Sequence, residues 1–286
     1  MIYIYLYLLL TAFIISIGDC AGPGPDITKE DTLLEPFAVS YEKIADLAGA
    51  ANEYKLLIVE PEHYSKAEVD SLNTASNTLL AYVTLGEVDR SRWYYPLLEA
   101  RGFLGVNENW DSPYLNLADS VTRSIMLDRV IPNIMIKGYD GLILDTVDDV
   151  APYTDRAWLQ PHMVDIIAEI DREYPDAFIL QNAGLFLLDR VHNYIDALMM
   201  EDVATSYNFE DQTYHLKPQE DYDNKVDVIE KHASAFNKPL LIVDYSVTDS
   251  LSERVIERLD SLSHPYFIGS IWLNDITETI SSHPSR

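Results

Sequence analysis

The chain has 286 residues, 48% hydrophobic and 23% charged, enough to bury a sizeable core in one large domain or two small ones and inconsistent with global disorder. Its 47 Asp and Glu against 20 Lys and Arg leave a formal net charge of −27, a field that repels polyanions and excludes nucleic acid as a partner. The same acidity fits either a well-solvated surface or attraction of a cationic substrate.

Residues 1–21 are apolar from Ile2 to Ile17, short for a membrane span, and small and polar residues follow at once. This pattern predicts a secretion signal, although no Lys or Arg precedes the apolar run, which leaves an uncleaved anchor open. Cys20 is the only cysteine, so no intrachain disulfide forms. Its position predicts either a lipidated mature N-terminus or simple cleavage nearby; both place the protein outside the cytoplasm, touching membrane only through this segment. Residues 22–35, beginning "GPGPDITKED", read as a tether, and 36–286 as the folded part.

Beyond the tether, short apolar runs alternate with longer amphipathic stretches. The runs are "PFAVSY" (36–41), "KLLIVE" (55–60), "LLAYVTLGE" (79–87), "DGLILD" (140–145), "AFILQN" (177–182), "ALMMED" (197–202), "PLLIVDY" (239–245) and "YFIGSIWLND" (266–275). Most are continuous rather than alternating, as parallel strands covered on both faces require. A helix is predicted over 159–174, with Leu159, Met163, Ile166, Ile167, Ile170 and Tyr174 on one face and Pro175 as its stop. "SLSE" spaces Ser250 and Glu253 as a capping box for another, whose apolar face is Val255, Ile256, Leu259 and Leu262. Eight strand–helix units in about 240 residues predict a single (β/α)8 TIM barrel of the α/β class. The runner-up is a doubly wound open sheet, which lacks the Gly-rich phosphate turn expected after its first strand. The longest insertion, 88–120, is rich in aromatics and is expected to reach over the barrel mouth.

In such barrels the active site lies where strands end. Polar residues hold those positions here: Tyr41, Glu60, Glu87, Asp145, Asn182, Glu201, Asp244 with Tyr245, and Asn274 with Asp275. About one residue in six is acidic, so several reach strand ends by chance, where a solvated loop or helix cap is their ordinary role. Asp145 and Glu201 stand apart because each directly follows an unbroken apolar run. Side chains alternate along a strand, so Asp145 shares a face with Ile143 and Gly141, and Glu201 with Met199 and Ala197. Two strands apart, their backbones would lie roughly 10 Å from each other, letting two carboxyl groups converge on one glycosidic bond.

Other chemistries find less support. The seven histidines are scattered without HExxH spacing, and "DTVDD" lacks the glycine of an EF-hand loop, so no metal or other cofactor is expected, calcium on the acidic rim staying open. There is no GxSxG elbow. Trp93, Tyr94, Tyr95, Trp110, Tyr114, Tyr153, Tyr207, Tyr245 and Trp272 fall near the rim, where aromatic faces either stack on sugars or cap the core.

The segments "AYVTLGEVD", "YLNLAD", "KGYDGLILDTVDD", "LQNAG", "MMEDV" and "WLND" resemble the glycoside hydrolase family 114 barrels, typified by endo-α-1,4-polygalactosaminidases. The resemblance runs from about Pro36 to Asp275. It implies Asp145 as nucleophile and Glu201 as general acid/base, with Tyr41, Glu87, Asp148, Asn182, Tyr207 and Asp244 contacting sugar hydroxyls or amines. Trp272 joins them as an aromatic sugar contact. The expected substrate is an α-linked amino-sugar polysaccharide, cleaved by a monomer. A non-catalytic polysaccharide-binding barrel, or an acidic surface protein without a carbohydrate role, are the competing expectations.

Overall fold

Each predicted apolar run becomes a strand because its residues need cover on both faces. The computed structural model describes residues 34–72, 77–276 and 280–281. The expected signal, Cys20 and most of the tether lie outside these residues. In chain order the strands are β1 (Phe37–Ser40), β2 (Leu56–Val59), β3 (Thr78–Thr84), β4 (Phe103–Asn107), β5 (Ser112–Leu115), β6 (Gly141–Asp145), β7 (Phe178–Asn182), β8 (Ala197–Glu201), β9 (Thr205–Asn208), β10 (Thr213–Leu216), β11 (Leu240–Tyr245), β12 (Tyr266–Gly269) and β13 (Ile280–Ser281).

Strands β1, β2, β3, β6, β7, β8, β11 and β12 pair in that order, all parallel, and β13 adds an antiparallel edge to β12. First and last meet through Tyr41 N–H donating to the Leu273 carbonyl at 2.7 Å and through the Phe37 and Phe267 rings, 6.0 Å apart. This is a (β/α)8 TIM barrel, as expected. Leu56–Val59 and Leu142–Leu144 are wholly buried, as strands inside a ring of helices must be. At the N-terminal end, orphan strand donors are met by carboxylates: Leu79 N–H bonds Asp140 and Ile179 N–H bonds Asp196, each at 2.8 Å.

The helix Gln160–Glu173 buries Met163, Ile166, Ile167 and Ile170, with Leu159 buried in the 3-10 turn before it. The expected Ser250–Glu253 capping box does not form. The helix there is Asp249–Leu259, its cap residue is Thr248, and Ser250 already lies inside the first turn. Burying Ser252, Val255 and Leu259 sets that register, overriding the local capping signal. A capping box does form at Ser65 and Glu68, on the same spacing. The final apolar run ends as strand at Gly269, after which the chain turns and carries Trp272 onto the rim.

Segment 88–120 forms the helix Tyr95–Glu99 and the hairpin β4–β5, and it does reach the mouth. Arg92 anchors it by a two-pronged ion pair to Glu60 at 2.5 and 2.6 Å, both side chains largely buried. A second hairpin, β9–β10, follows β8 and has no counterpart in the apolar pattern.

Gly141 opens β6 directly against β7: a Cβ there would sit 1.9 Å from the Phe178 carbonyl oxygen, which is backbone and cannot yield cheaply. Gly141→Ala is expected to destabilise the barrel by about 3 kcal/mol, at the upper end of overpacking costs, read as a lowered urea midpoint with unchanged slope.

Candidate active site

Three neighbouring strands, β6, β7 and β8, end on Asp145, Asn182 and Glu201. Leu144 pairs with Gln181, which sets Asp145 beside Asn182, while Asn182 pairs with Met199, so Glu201 stands two residues further along β8. The residue after each strand is left-handed although none is glycine: Thr146 at φ 57°, Ala183 at 55° and Asp202 at 60°. Such backbone is strained by about 1–3 kcal/mol per residue and persists only where the surroundings enforce it. Here they do. Leu85 N–H bonds the Asp145 carbonyl at 3.0 Å and Gly86 N–H bonds the Thr146 hydroxyl at 2.8 Å. Beyond β8, Lys225 donates to the Glu201 and Asp202 carbonyls, both at 2.7 Å, and Lys217 to the Asp202 carbonyl at 2.6 Å and carboxylate at 2.7 Å.

The turns leave the three side chains converging. Asn182 Nδ2 donates to Asp145 Oδ1 at 2.8 Å and to Glu201 Oε1 at 2.7 Å, which puts those two oxygens no more than about 5.5 Å apart. Tyr82 donates to the other oxygen of Asp145 at 2.6 Å, and Tyr245 to the other oxygen of Glu201. Burial and the charge of Asp145 push Glu201 up to about 7, while the bonds from Tyr245 and Asn182 pull the other way. The Tyr41, Tyr82 and Tyr245 hydroxyls are raised by burial and by the carboxylates beside them, so they stay protonated donors at neutral pH. Tyr41 stacks 4.3 Å from Tyr82, its hydroxyl buried without a protein partner.

These groups form the floor of a cleft of about 1150 Å³. Ten of its lining side chains are carboxylic, against one arginine and one lysine. Both cations are already engaged, Arg92 with Glu60 and Lys225 with backbone carbonyls, so the cleft favours a cationic or hydroxyl-rich ligand. One wall is aromatic. Trp110 from the β4–β5 hairpin meets Trp272 edge-on at 5.6 Å and Phe209 at 5.1 Å, with the two tryptophans 43% and 51% exposed. Among the described residues, no group of three or more His, Cys, Asp or Glu side chains is arranged to hold a metal.

Of the residues expected at the site, Tyr41, Glu87, Asp145, Asp148, Asn182, Glu201 and Trp272 line the cleft. Asp244 does not. It is fully buried beneath the rim, where its carboxylate takes bonds from Ala204 N–H, Thr205 N–H, the Thr205 hydroxyl and Tyr245 N–H. Asp244 therefore fastens the β9 turn and offers nothing to a sugar. Tyr207 is also withheld from the cleft lining, packed between Phe209 at 5.0 Å and Tyr214 at 4.8 Å as support for the aromatic wall. Sequence reasoning missed Tyr82, which lies two residues before Thr84 on the same face of β3, and the paired lysines, which no periodicity signals.

Glu87, 4% exposed, accepts from Asn107 at 2.8 Å and shares a hydrogen bond with Asp149. Burial and the charges of Glu87 and Asp148 push Asp149 up to about 9, so at neutral pH this pair keeps a proton.

A parallel barrel whose C-terminal rim sets two carboxyl groups this close has the build of a glycosidase. The chain belongs to glycoside hydrolase family GH114, whose model matches residues 37–264. It is similar in fold to the glycoside hydrolase domain of PelA from Pseudomonas aeruginosa, with a TM-score of 0.75 and 24% identity over 86% of this chain and 97% of that one. Ega3 of Aspergillus fumigatus, solved in complex with galactosamine, gives a TM-score of 0.69 at 15% identity, covering 88% and 96% of the two chains. An uncharacterized protein of Methanocaldococcus jannaschii is 23% identical over 241 residues, 76% of this chain and 68% of its own. The protein is thus a glycoside hydrolase.

The Asp149 proton carries a stability signature. Between the ordinary carboxylate range and about pH 9 the folded protein holds a proton that the unfolded chain releases, so this group's contribution to stability falls as pH rises through that window. Asp149→Asn is expected to raise the melting temperature at pH 8 more than at pH 5 and to flatten its decline between them, measured by thermal melts across pH.

Proposed function

We propose that the protein hydrolyses an α-linked, amine-bearing hexosamine polymer such as polygalactosamine, with Asp145 as nucleophile and Glu201 as general acid/base. The observation that carries this reading is the Asn182 bridge, which limits the nearer carboxyl oxygens to about 5.5 Å. That matches the spacing of about 5–5.5 Å used by retaining glycosidases and leaves no room for the water an inverting pair holds between them.

In the first step Glu201 gives its proton to the glycosidic oxygen as the C1–O bond breaks, and an Asp145 oxygen bonds C1. In the second step Glu201 takes a proton from water, whose oxygen replaces Asp145 at C1. A Glu201 carboxyl raised to about 7 still holds much of its proton near neutrality, as the first step needs. The amine is supported by the carboxylate-rich cleft, which would concentrate a cationic chain, and by the galactosamine bound to Ega3. Trp110 and Trp272 supply faces for sugar rings. The proposed site of action is outside the cytoplasm, after export directed by the apolar run of residues 1–21, Cys20 being either lipidated or removed.

Purified wild type, Asp145→Asn and Glu201→Gln should be offered galactosamine-rich polysaccharide and the release of reducing ends followed. Each substitution is expected to lower the rate by about 10²–10⁴-fold, the usual contribution of such a group. Wild-type kcat/KM should fall above about pH 7 as Glu201 loses its proton. Equal release by all three proteins would overturn the assignment, and retention of the polymer without turnover would favour a binding barrel.

A further inference from the structure

We propose that Asn182 is a positioning residue whose side-chain amide is the spacer holding Asp145 and Glu201 one glycosidic bond apart. This rests on the reading of those two residues as the catalytic pair. It adds to the sequence-based expectation that Asn182 touches the sugar: a primary amide nitrogen carries two hydrogens and both are spent within the protein, which leaves only the amide oxygen, without a protein partner, to meet a ligand. One goes to Asp145 and the other to Glu201, at 2.8 and 2.7 Å.

The need for a spacer follows from the barrel. Backbones two strands apart are separated by about 10 Å, and two carboxylates brought together in that gap repel each other. A cation between them would relieve the repulsion, but the nearby cations are committed elsewhere. Lys225 bonds the backbone oxygens of Glu201 and Asp202, and Arg92 bonds Glu60. The strand between the two acids, β7, instead ends on a neutral double donor, paired on one side to β6 and on the other to β8.

Asn182 is itself held. It is 6% exposed, and the left-handed Ala183 and Gly184 turn the chain away directly after it. Gln181 Nε2 fixes that turn through the Ala183 carbonyl at 2.8 Å. A rigid amide bonded to an oxygen of each acid sets both their separation and their rotation, whereas Tyr82 and Tyr245 each reach only one of them.

The groups facing Glu201 are Asp145 and Asp148 from β6 and its loop, Asn182 from β7, Tyr41 from β1, Tyr245 from β11 and Lys225 from the helix Gln219–Phe236. Of these, Asn182 and Tyr245 donate hydrogen bonds to its carboxylate. Removing the Asn182 donor while Asp145 stays should therefore make Glu201 hold its proton to higher pH.

The test uses Asn182→Ala and, should that variant fold poorly, the size-matched Asn182→Leu, which lacks donors. The Glu201 carboxyl is titrated by NMR in protein labelled at the glutamate carboxyl carbon, its signal assigned by its loss in Glu201→Gln. Its midpoint should rise by about one pH unit, the scale of one lost hydrogen bond to a charged group. On polymer, kcat should fall at least about 100-fold, as for a misplacement of about 1 Å, with KM changed less than about threefold. The basic limb of the kcat profile should move up with the NMR midpoint. A folded variant whose Glu201 midpoint stays put, or whose loss lies in KM alone, overturns the spacer. The titration needs no substrate, so a wild type inactive on the polymer would count against the proposed substrate while the NMR result still judges Asn182.

Discussion

Everything at the mouth of this barrel answers to one repulsion: Asp145 and Glu201 lie within about 5.5 Å of each other, oxygen to oxygen, in a cleft whose two cations are otherwise engaged. The barrel holds the acids by geometry and hydrogen bonds. Each carboxylate takes one bond from Asn182 and one from a buried tyrosine, Tyr82 or Tyr245. The strand ends that carry them are set by non-glycine turns in left-handed conformations, which the unfolded chain would avoid. Lys217 and Lys225 place their charges on the backbone beneath Glu201, where they fix the turn without pairing with its side chain. The resulting environment keeps a proton on Glu201 to about pH 7, a property that a counter-ion at the same place would remove.

Around that floor the longer loops supply shape. The excursion after β3 is fastened by Arg92 to Glu60 and by Asn107 to Glu87, which brings Trp110 across to Trp272 and Phe209. Ring contacts join loops that follow β3, β8 and β12, so the aromatic wall is assembled from segments far apart along the chain. Its partner is the run of carboxylates lining the cleft. Apolar faces beside many acids suit a ligand with C–H faces, hydroxyls and amines, which is the surface an amino sugar presents.

The parallel strands were legible because full burial leaves a one-dimensional trace: a continuous apolar run followed by a polar residue. That trace located Asp145 and Glu201, and the barrel fold turned distance along the chain into proximity. It misled at Asp244, which follows the apolar run of β11 in the same way but meets the Ala204–Thr205 turn, so its carboxylate serves backbone donors. Nothing in the local sequence separates the two outcomes; the neighbouring loop decides. Hairpin β9–β10 was invisible because its strands are short and partly exposed, with mixed residues and no clean alternation. Asn182 appeared at a strand end as expected, but its double donation depends on the levels of β6, β7 and β8, which pairing alone sets.

Under the proposed mechanism, the separation of the two carboxyl groups predicts the stereochemical course. Proton NMR of the first sugar released from an α-linked galactosamine oligomer, recorded before mutarotation, reads that course directly. A pair this close, acting as nucleophile and acid/base, predicts the α-anomer as the initial product; initial release of the β-anomer would contradict it.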